Sequence, residues 1–212
     1  MTRSGAPPAD VPTPLDFRDP DQARAWLQDT AATLRDWRYR FIAAFVAALR
    51  LETRPLDVLE LGSGPGHLAA ELIRTCNIAT YKAIDFSAAM HQLAREHLGA
   101  DAARVDFLVR DFRSDDWRGG LGAVDAVVTM QAAHEVRHRR RLAPLFEGVR
   151  EALRPGGLFL FCDHYSWDAS EAQRTLYLAR DEQAPALEAA GFADVHTILD
   201  DTGMALLSAR RL

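Results

Sequence analysis

Three glycines at alternate positions interrupt the most ordered stretch of this chain, V-L-E-L-G-S-G-P-G-H-L-A-A-E-L from Val58 to Leu72. Val58, Leu59 and Leu61 read as a buried strand. Leu68, Ala69, Leu72 and Ile73 read as one face of a helix that begins at once. Gly62, Gly64 and Gly66 fall between them, where backbone without Cβ atoms can approach a ligand at a helix N-terminus. A side chain at Gly62 or Gly64 is expected to occupy the space such a ligand needs. The bland alternative is a tight strand-to-helix turn that binds nothing. The dinucleotide fingerprint requires a small residue at the sixth place of the turn, and His67 stands there instead.

The G-x-G-x-G order preceded by the acid Glu60 resembles motif I of class I S-adenosylmethionine-dependent methyltransferases. Further segments extend the resemblance. Tyr81 to Asp85 reads as a second strand ending in an acid about 20 residues on, the offset at which nucleotide-binding α/β units place a carboxylate for ribose hydroxyls. Phe86 follows and can lie against an adenine face. A third strand, Val105 to Arg110, ends at Asp111 and Phe112, and an acid there can accept from the adenine amino group. Val124 to Met130 is the fourth strand. Leu158 to Cys162 is the fifth, introduced by Leu153-Arg154-Pro155-Gly156-Gly157, a turn very like the family's own. The resemblance implies S-adenosyl-L-methionine as cofactor, held by Glu60, Gly62, Ser63, Gly64, Gly66, Asp85, Phe86, Asp111, Phe112 and Met130. It implies an α/β, Rossmann-like, doubly wound sheet of seven strands, mostly parallel with an antiparallel last strand, plus an N-terminal helical cap.

The 212 residues suit one domain with a three-layer core. Residues 1–20 carry five prolines and few apolar side chains, the composition of a flexible tail. Residues 21–212 form the expected domain. A helical cap covers 21–50, with Ala25, Trp26, Leu27, Leu34, Trp37, Phe41 and Phe45 in its apolar pattern. The cofactor-binding core covers 55–165, and a C-terminal helix and strand pair cover 166–212. Within the core, Ser87 reads as an N-cap and Gly99 as a stop for one helix. A helical stretch over 168–190 is expected to break near Pro185, and Val195 to Leu199 and Met204 to Ala209 close the sheet.

The net charge of −5 does not favour general polyanion binding, so nucleic acid is an unlikely partner. No apolar run is long enough for a transmembrane helix, and no signal core opens the chain, so the expected location is cytoplasmic. Cys76 and Cys162 fit a reduced compartment. Lys82 is the one lysine; with abundant alanine and arginine this suggests a GC-rich bacterial source. The oligomeric state is not legible.

Ligands in open α/β sheets bind outside the carboxyl ends of the strands. His134 follows the fourth strand and His164 follows the fifth, and both are candidate catalytic bases because unperturbed histidine titrates near neutrality. Gln131, Tyr165 and, in the cap, Tyr39 are candidate substrate contacts. His134 to His138 spells H-E-V-R-H, formally a zinc signature. It directly follows a core strand, and Arg141 and Pro144 break its extended form, so no metal site is expected. Arg137 to Arg141 is a dense basic run that reads either as a solvated helix start or as a site for an anion. The expected activity is methyl transfer to a small-molecule O, N or S nucleophile, with an anionic acceptor as one option. The alternatives are an RNA or protein methyltransferase using the arginine run, and a non-catalytic cofactor-binding partner.

Overall fold

The computed structural model describes residues 8–33, 35–168 and 170–212. Two helices come first, α1 (Pro20–Thr33) and α2 (Arg35–Leu49). The core alternates β1 (Leu56–Leu61), α3 (His67–Thr75), β2 (Ile78–Asp85), α4 (Ala88–Leu98), β3 (Val105–Val109), β4 (Val124–Met130), α5 (Leu142–Ala152) and β5 (Leu153–His164). Two short helices, α6 (Glu171–Leu176) and α7 (Gln183–Ala189), precede β6 (Phe192–Asp201) and β7 (Met204–Arg211). Seven strands form one sheet in the order β3-β2-β1-β4-β5-β7-β6. β7 runs antiparallel to both of its neighbours, and the other pairings are parallel.

Strand alternation sorts side chains into two cores. Leu59, Leu61, Val127, Phe159 and Phe161 face α5 and α7. Val58, Ala126, Val128, Leu158, Leu160 and Cys162 face α2 and α3. Phe41 and Phe45 of α2 are fully buried in that second core, so this helix is part of the layer and not merely a cover. Ser87 caps α4 by accepting from Met90 N–H, and Gly99 ends the helix at φ 58°. Pro185 does not break the C-terminal helical stretch. It sits in the first turn of α7, where a missing N–H costs nothing, and the break falls between Leu176 and Gln183. Leu34 of the cap pattern lies outside the described residues.

Residues 1–7 of the expected tail also lie outside the described residues, and residues 8–19 lie against the body of the protein. Val11 N–H donates to the Arg137 carbonyl at 2.8 Å. The Arg137 guanidinium donates to the carbonyls of Val11 at 2.7 and 3.0 Å and of Pro12 at 2.9 Å. Arg141 donates to the Pro8 carbonyl at 2.5 Å and pairs with Asp10. Farther along, Ser87 Oγ donates to the Phe17 carbonyl. A proline-rich segment without apolar periodicity cannot order itself, but arginines elsewhere in the chain supply its partners.

At the amino ends of the central strands, buried Asp125 accepts from Arg54 at 2.8 Å, Arg154 at 2.5 Å and the Asp57 N–H at 2.9 Å. Asp57 also accepts from Thr80 and Arg154. One carboxylate pair thereby joins β1, β2, β4 and β5. Burial opposes ionisation of Asp125, but the two guanidinium groups and the N–H hold its carboxyl below the usual range. Its stabilisation is present above the ordinary carboxylate pKa and is lost as acid protonates it. Asp125→Ala is expected to destabilise the fold by about 1–3 kcal/mol at neutral pH, measured by urea unfolding, with the difference from wild type shrinking in strong acid.

Candidate functional site

The strand order reverses between β1 and β4, and a cavity of about 400 Å³ opens at their carboxyl ends. That volume falls within the range of roughly 300–1,000 Å³ for small-ligand sites. The glycine turn forms its floor. Gly62 and Ser63 N–H groups both donate to the Ile84 carbonyl, which ties the turn to the end of β2. Gly62, Gly64 and Gly66 have φ of 69°, 50° and 80°, a region that favours glycine. The three serve different ends. A Cβ on Gly62 would lie 2.2 Å from the Ala132 Cβ, so its absence admits the protein's own β4 loop and not the ligand. A Cβ on Gly66 would meet Leu98 and Ala94 of α4 at 3.0 and 3.1 Å. Gly64 alone has open space where a Cβ would stand, and it lines the cavity.

Asp85 crosses from β2 to this turn. Its Oδ2 accepts the Gly64 N–H at 2.8 Å and its Oδ1 the Ser87 N–H at 2.9 Å. Burial pushes its pKa up to about 6, against the pull of those two N–H groups. Glu60 is buried within β1 and accepts from the Tyr81 hydroxyl at 2.8 Å. Desolvation raises its pKa to about 8, so it is mostly protonated at neutral pH. Ser63 and His67 line the cavity, and their buried Oγ and Nε2 atoms have no hydrogen-bond partner among the described residues.

Across the cavity, β4 and β5 present the histidines. Gln131 leaves β4 with φ 54°, a left-handed conformation unusual outside glycine. Its amide nitrogen lies 2.9 Å from His164 Nε2. Burial lowers the His164 pKa, against the raising influence of Asp163. His134 sits in a 3-10 turn, with Nδ1 2.8 Å from Asp163 Oδ1 and Nε2 3.4 Å from Glu135 Oε1. Desolvation works against its charge, but the Asp163 and Glu135 carboxylates push its pKa up to about 10. Tyr177 packs against both imidazoles, with ring centroids 5.4 and 6.0 Å away.

Glu60, Gly62, Ser63, Gly64, Asp85, Phe86, Phe112, Met130, Gln131, His134 and His164 all line this cavity. Four of the expected site residues do not. Gly66 packs α3 against α4. Tyr39 is exposed on α2, while its neighbours Trp37 and Arg38 reach the cavity. Tyr165 turns toward Asp200, to which its hydroxyl donates at 3.0 Å, and Tyr177 stands in the place expected for it. Asp111 is held by Arg113, with a 3.0 Å bond to its backbone N–H, and lines a neighbouring hollow beneath residues 10–18. Its carboxylate is already engaged, which weakens its expected adenine role. His134 and His138 share no helix, because Arg137 between them adopts φ 62°. Among the described residues no group of three or more His, Cys, Asp or Glu side chains is placed to hold a metal ion.

Arg38 lines the cavity too, and so do Trp26, Trp37, His67, Glu135 and Tyr177, which escaped the sequence analysis as site residues. Arg38 carried a usable signal, a cation between Trp37 and Phe41 in an apolar helix pattern. Tyr177 carried none, since it falls in the short break between α6 and α7.

A family model described as "Methyltransferase domain" matches residues 58–157, the stretch from the glycine-turn strand to the glycines before the core of β5. Residues 58–157 are thus similar to a methyltransferase domain, and the seven-stranded sheet is consistent with the class I S-adenosylmethionine-dependent methyltransferase family. The fold of the chain is similar to that of an O-methyltransferase family protein from Burkholderia thailandensis (TM-score 0.74, 19% identity, 92% of this chain and 61% of that one). It is also similar to the DhpI–SAH complex structure (TM-score 0.69, 25% identity, 92% and 95%). A highly reducing polyketide synthase from Dothideomycetidae sp. (strain 11243) is 30% identical over 104 residues, 45% of this chain and 4% of the synthase. The chain thus spans only a small part of that curated relative and less than two thirds of the Burkholderia chain.

A methyltransferase domain implies S-adenosylmethionine as cofactor, and the cavity suits it. Gly64 leaves open space, the Asp85 carboxylate can accept from ribose hydroxyls, and Phe86 and Phe112 offer aromatic faces. Ser63 and His67 line the same space. Ribose hydroxyls favour the ionised form of Asp85, so binding is linked to loss of its proton. Affinity for S-adenosylhomocysteine is expected to fall as pH drops through about 6. In Asp85→Asn calorimetry should find binding about tenfold or more weaker at pH 7.5, with that pH dependence flattened. Equal affinity in both proteins would remove Asp85 from the ribose site.

Proposed function

We propose that the protein transfers a methyl group from S-adenosylmethionine to a small-molecule nucleophile, with His164 and the His134–Asp163 pair at the acceptor end. The observation that carries this reading is the sharing of one cavity by the cofactor turn and both histidines. When bound, the cofactor supplies an electrophilic methyl carbon. Alignment of that carbon with an acceptor atom can by itself lower a barrier by roughly 7–11 kcal/mol, so the demand on a base is modest.

The two histidines divide the labour. His134 is cationic at neutral pH, held by Asp163 below and Glu135 beside it. It suits hydrogen-bond donation to an acceptor oxygen and is poorly placed to take a proton. Burial lowers the His164 pKa, which favours its neutral form, and the Gln131 amide nitrogen facing Nε2 puts the lone pair on that atom. An acceptor O–H or N–H that displaces the Gln131 amide from this lone pair can pass its proton to Nε2 as the methyl bond forms. Tyr177 packs on both rings and limits their rotation. The side chains of Trp26, Trp37 and Phe17 help wall the space, which favours exclusion of bulk water.

The cavity volume lies near the low end for ligand sites, and this favours a small acceptor over RNA or protein. The arginine run adds little to the macromolecular alternative. Arg137 and Arg141 are committed to residues 8–12, and Arg139 pairs with Glu182. S-adenosylhomocysteine release should be followed by mass spectrometry with panels of small phenols, alcohols, amines and thiols, and with total RNA as a separate arm. Turnover with one small-molecule class is expected; turnover on RNA alone would overturn the small-acceptor proposal, and failure to bind S-adenosylhomocysteine would overturn the cofactor reading.

His164→Gln is expected to lower kcat by about 10²-fold or more, the usual range for loss of an acid–base group, with cofactor affinity changed less than about threefold. Because the folded pKa of His164 is lowered, its neutral form persists to below the ordinary histidine range. Wild-type kcat/KM should therefore fall only on the acid side of about pH 6.5 and stay level through pH 8. The acid limb should disappear in His164→Gln. Wild-type turnover in that variant would remove His164 as the base.

A further inference from the structure

Residues 8–17 run as a strap along one wall of the cavity, to which Thr13, Leu15 and Phe17 contribute. Arg137 is where this strap meets the acceptor end. It closes the 3-10 turn Ala133–Val136, which carries His134 and Glu135. Arg137 is 8% exposed, and its backbone takes φ 62°. A non-glycine residue stays in that strained region only where its surroundings fix it.

The strap supplies those surroundings. The Arg137 carbonyl accepts the Val11 N–H at 2.8 Å. Nε and Nη2 of its side chain donate to the Val11 carbonyl at 3.0 and 2.7 Å, and Nη2 also donates to the Pro12 carbonyl at 2.9 Å. Nη1, the remaining nitrogen, donates to Glu135 Oε2 at 3.4 Å. One guanidinium thus grips the strap on one side and Glu135 on the other. The second Glu135 oxygen lies 3.4 Å from His134 Nε2. Asp163 holds the front of the turn through the His134 N–H and Nδ1, both at 2.8 Å. A single 3-10 turn has poor hydrogen-bond geometry of its own, so its back end relies on Arg137. The outer end of the strap is held by Asp10, paired with Arg113 at 3.4 Å and with Arg141. Its inner end is held by Ser87, which donates to the Phe17 carbonyl.

We propose that Arg137 is a positioning residue through which the strap assembles the acceptor end: Glu135 keeps its place beside His134 only while Val11 and Pro12 are clasped. Lifting the strap removes Thr13, Leu15 and Phe17 from the cavity wall and frees the Arg137 fork, and Glu135 then leaves His134. The cavity is therefore open when its acceptor end is loose and walled when that end is set. The part this end plays in methyl transfer rests on the function proposed above; the clasp itself does not.

The test uses amide hydrogen exchange and NMR of nitrogen-15-labelled histidines on the full chain, without cofactor or acceptor. Val11→Pro removes the N–H given to Arg137 and alters no charge. Exchange should speed up by about threefold or more at residues 133–137 as well as in the strap, the equivalent of about one net hydrogen bond, while β1 and β4 exchange as in wild type. Asp163, Glu135, His164 and Tyr177 face the His134 ring, and Arg137 faces Glu135. The two carboxylates push the His134 pKa up to about 10. Withdrawal of Glu135 leaves Asp163 alone to support the charge, so the titration midpoint in Val11→Pro should fall by about half a pH unit or more. Arg137→Leu should speed exchange in both segments, and Arg137→Lys should do so less, since an ammonium can hold one carbonyl but lacks the fork. Asp10→Asn, which loosens only the outer end, should act in the same direction as Val11→Pro with a smaller effect. A freed strap with residues 133–137 and the His134 midpoint unchanged would overturn the proposal. So would uniform acceleration across the strands with a matching fall in Tm, or no change in any variant. Calorimetry with S-adenosylhomocysteine on the same wild-type sample decides the cofactor reading separately, because neither exchange nor titration requires it.

Discussion

The Asp85 carboxylate is the joint on which this site depends. One oxygen takes the Gly64 N–H and the other takes the Ser87 N–H. The first bond holds the glycine turn after β1. The second holds the start of α4, where Ser87 also caps Met90 and donates to the Phe17 carbonyl. A single buried charge thus links the turn, the end of β2, a helix start and the segment that crosses over the cavity. Its cost is visible in the raised pKa. The carboxylate lines the cavity beside the glycine turn, the offset at which nucleotide-binding α/β units place an acid.

Around that joint the protein distributes three kinds of electrostatics. At the amino ends of the strands, Asp125 is saturated by two arginines and an N–H and serves the fold. At the carboxyl ends, Asp163 pushes the pKa of His134 up while burial lowers that of His164, whose ring centroid is 6.1 Å away. Neighbouring groups of one chemical type are pushed in opposite directions by their surroundings, a pattern suited to dividing donor and acceptor roles. Arg38 is the third kind, a buried charge left open to the cavity.

The arginine run shows how function and architecture compete for one motif. Its density invited an anion site. Its guanidinium groups instead grip backbone carbonyls and acids of residues 8–12 and a glutamate before α7. Arg137 lies three residues beyond His134, so the turn that carries the histidine also anchors the segment that contributes Thr13, Leu15 and Phe17 to the cavity. Charge composition alone cannot distinguish these uses, because a carbonyl lone pair and a phosphate oxygen ask for the same donor.

Local sequence was sufficient wherever chain-adjacent residues carry the constraint. The glycine turn, Asp85 at the end of β2, the Ser87 cap, the five core strands and the closing strand pair are set by short-range periodicity and by conformations that few residues tolerate. Both histidines could be placed at strand ends for the same reason. Contacts between distant segments were decided only in the folded chain. That Gly62 admits Ala132, that Tyr177 replaces Tyr165 beside the histidines, that Asp111 is taken by Arg113, and that residues 8–19 are fastened down all depend on which side chains the sheet order brings together. The physical reason is that a hydrogen bond or a packing contact is settled by spatial competition among all available partners, and the sequence displays the competitors without their distances.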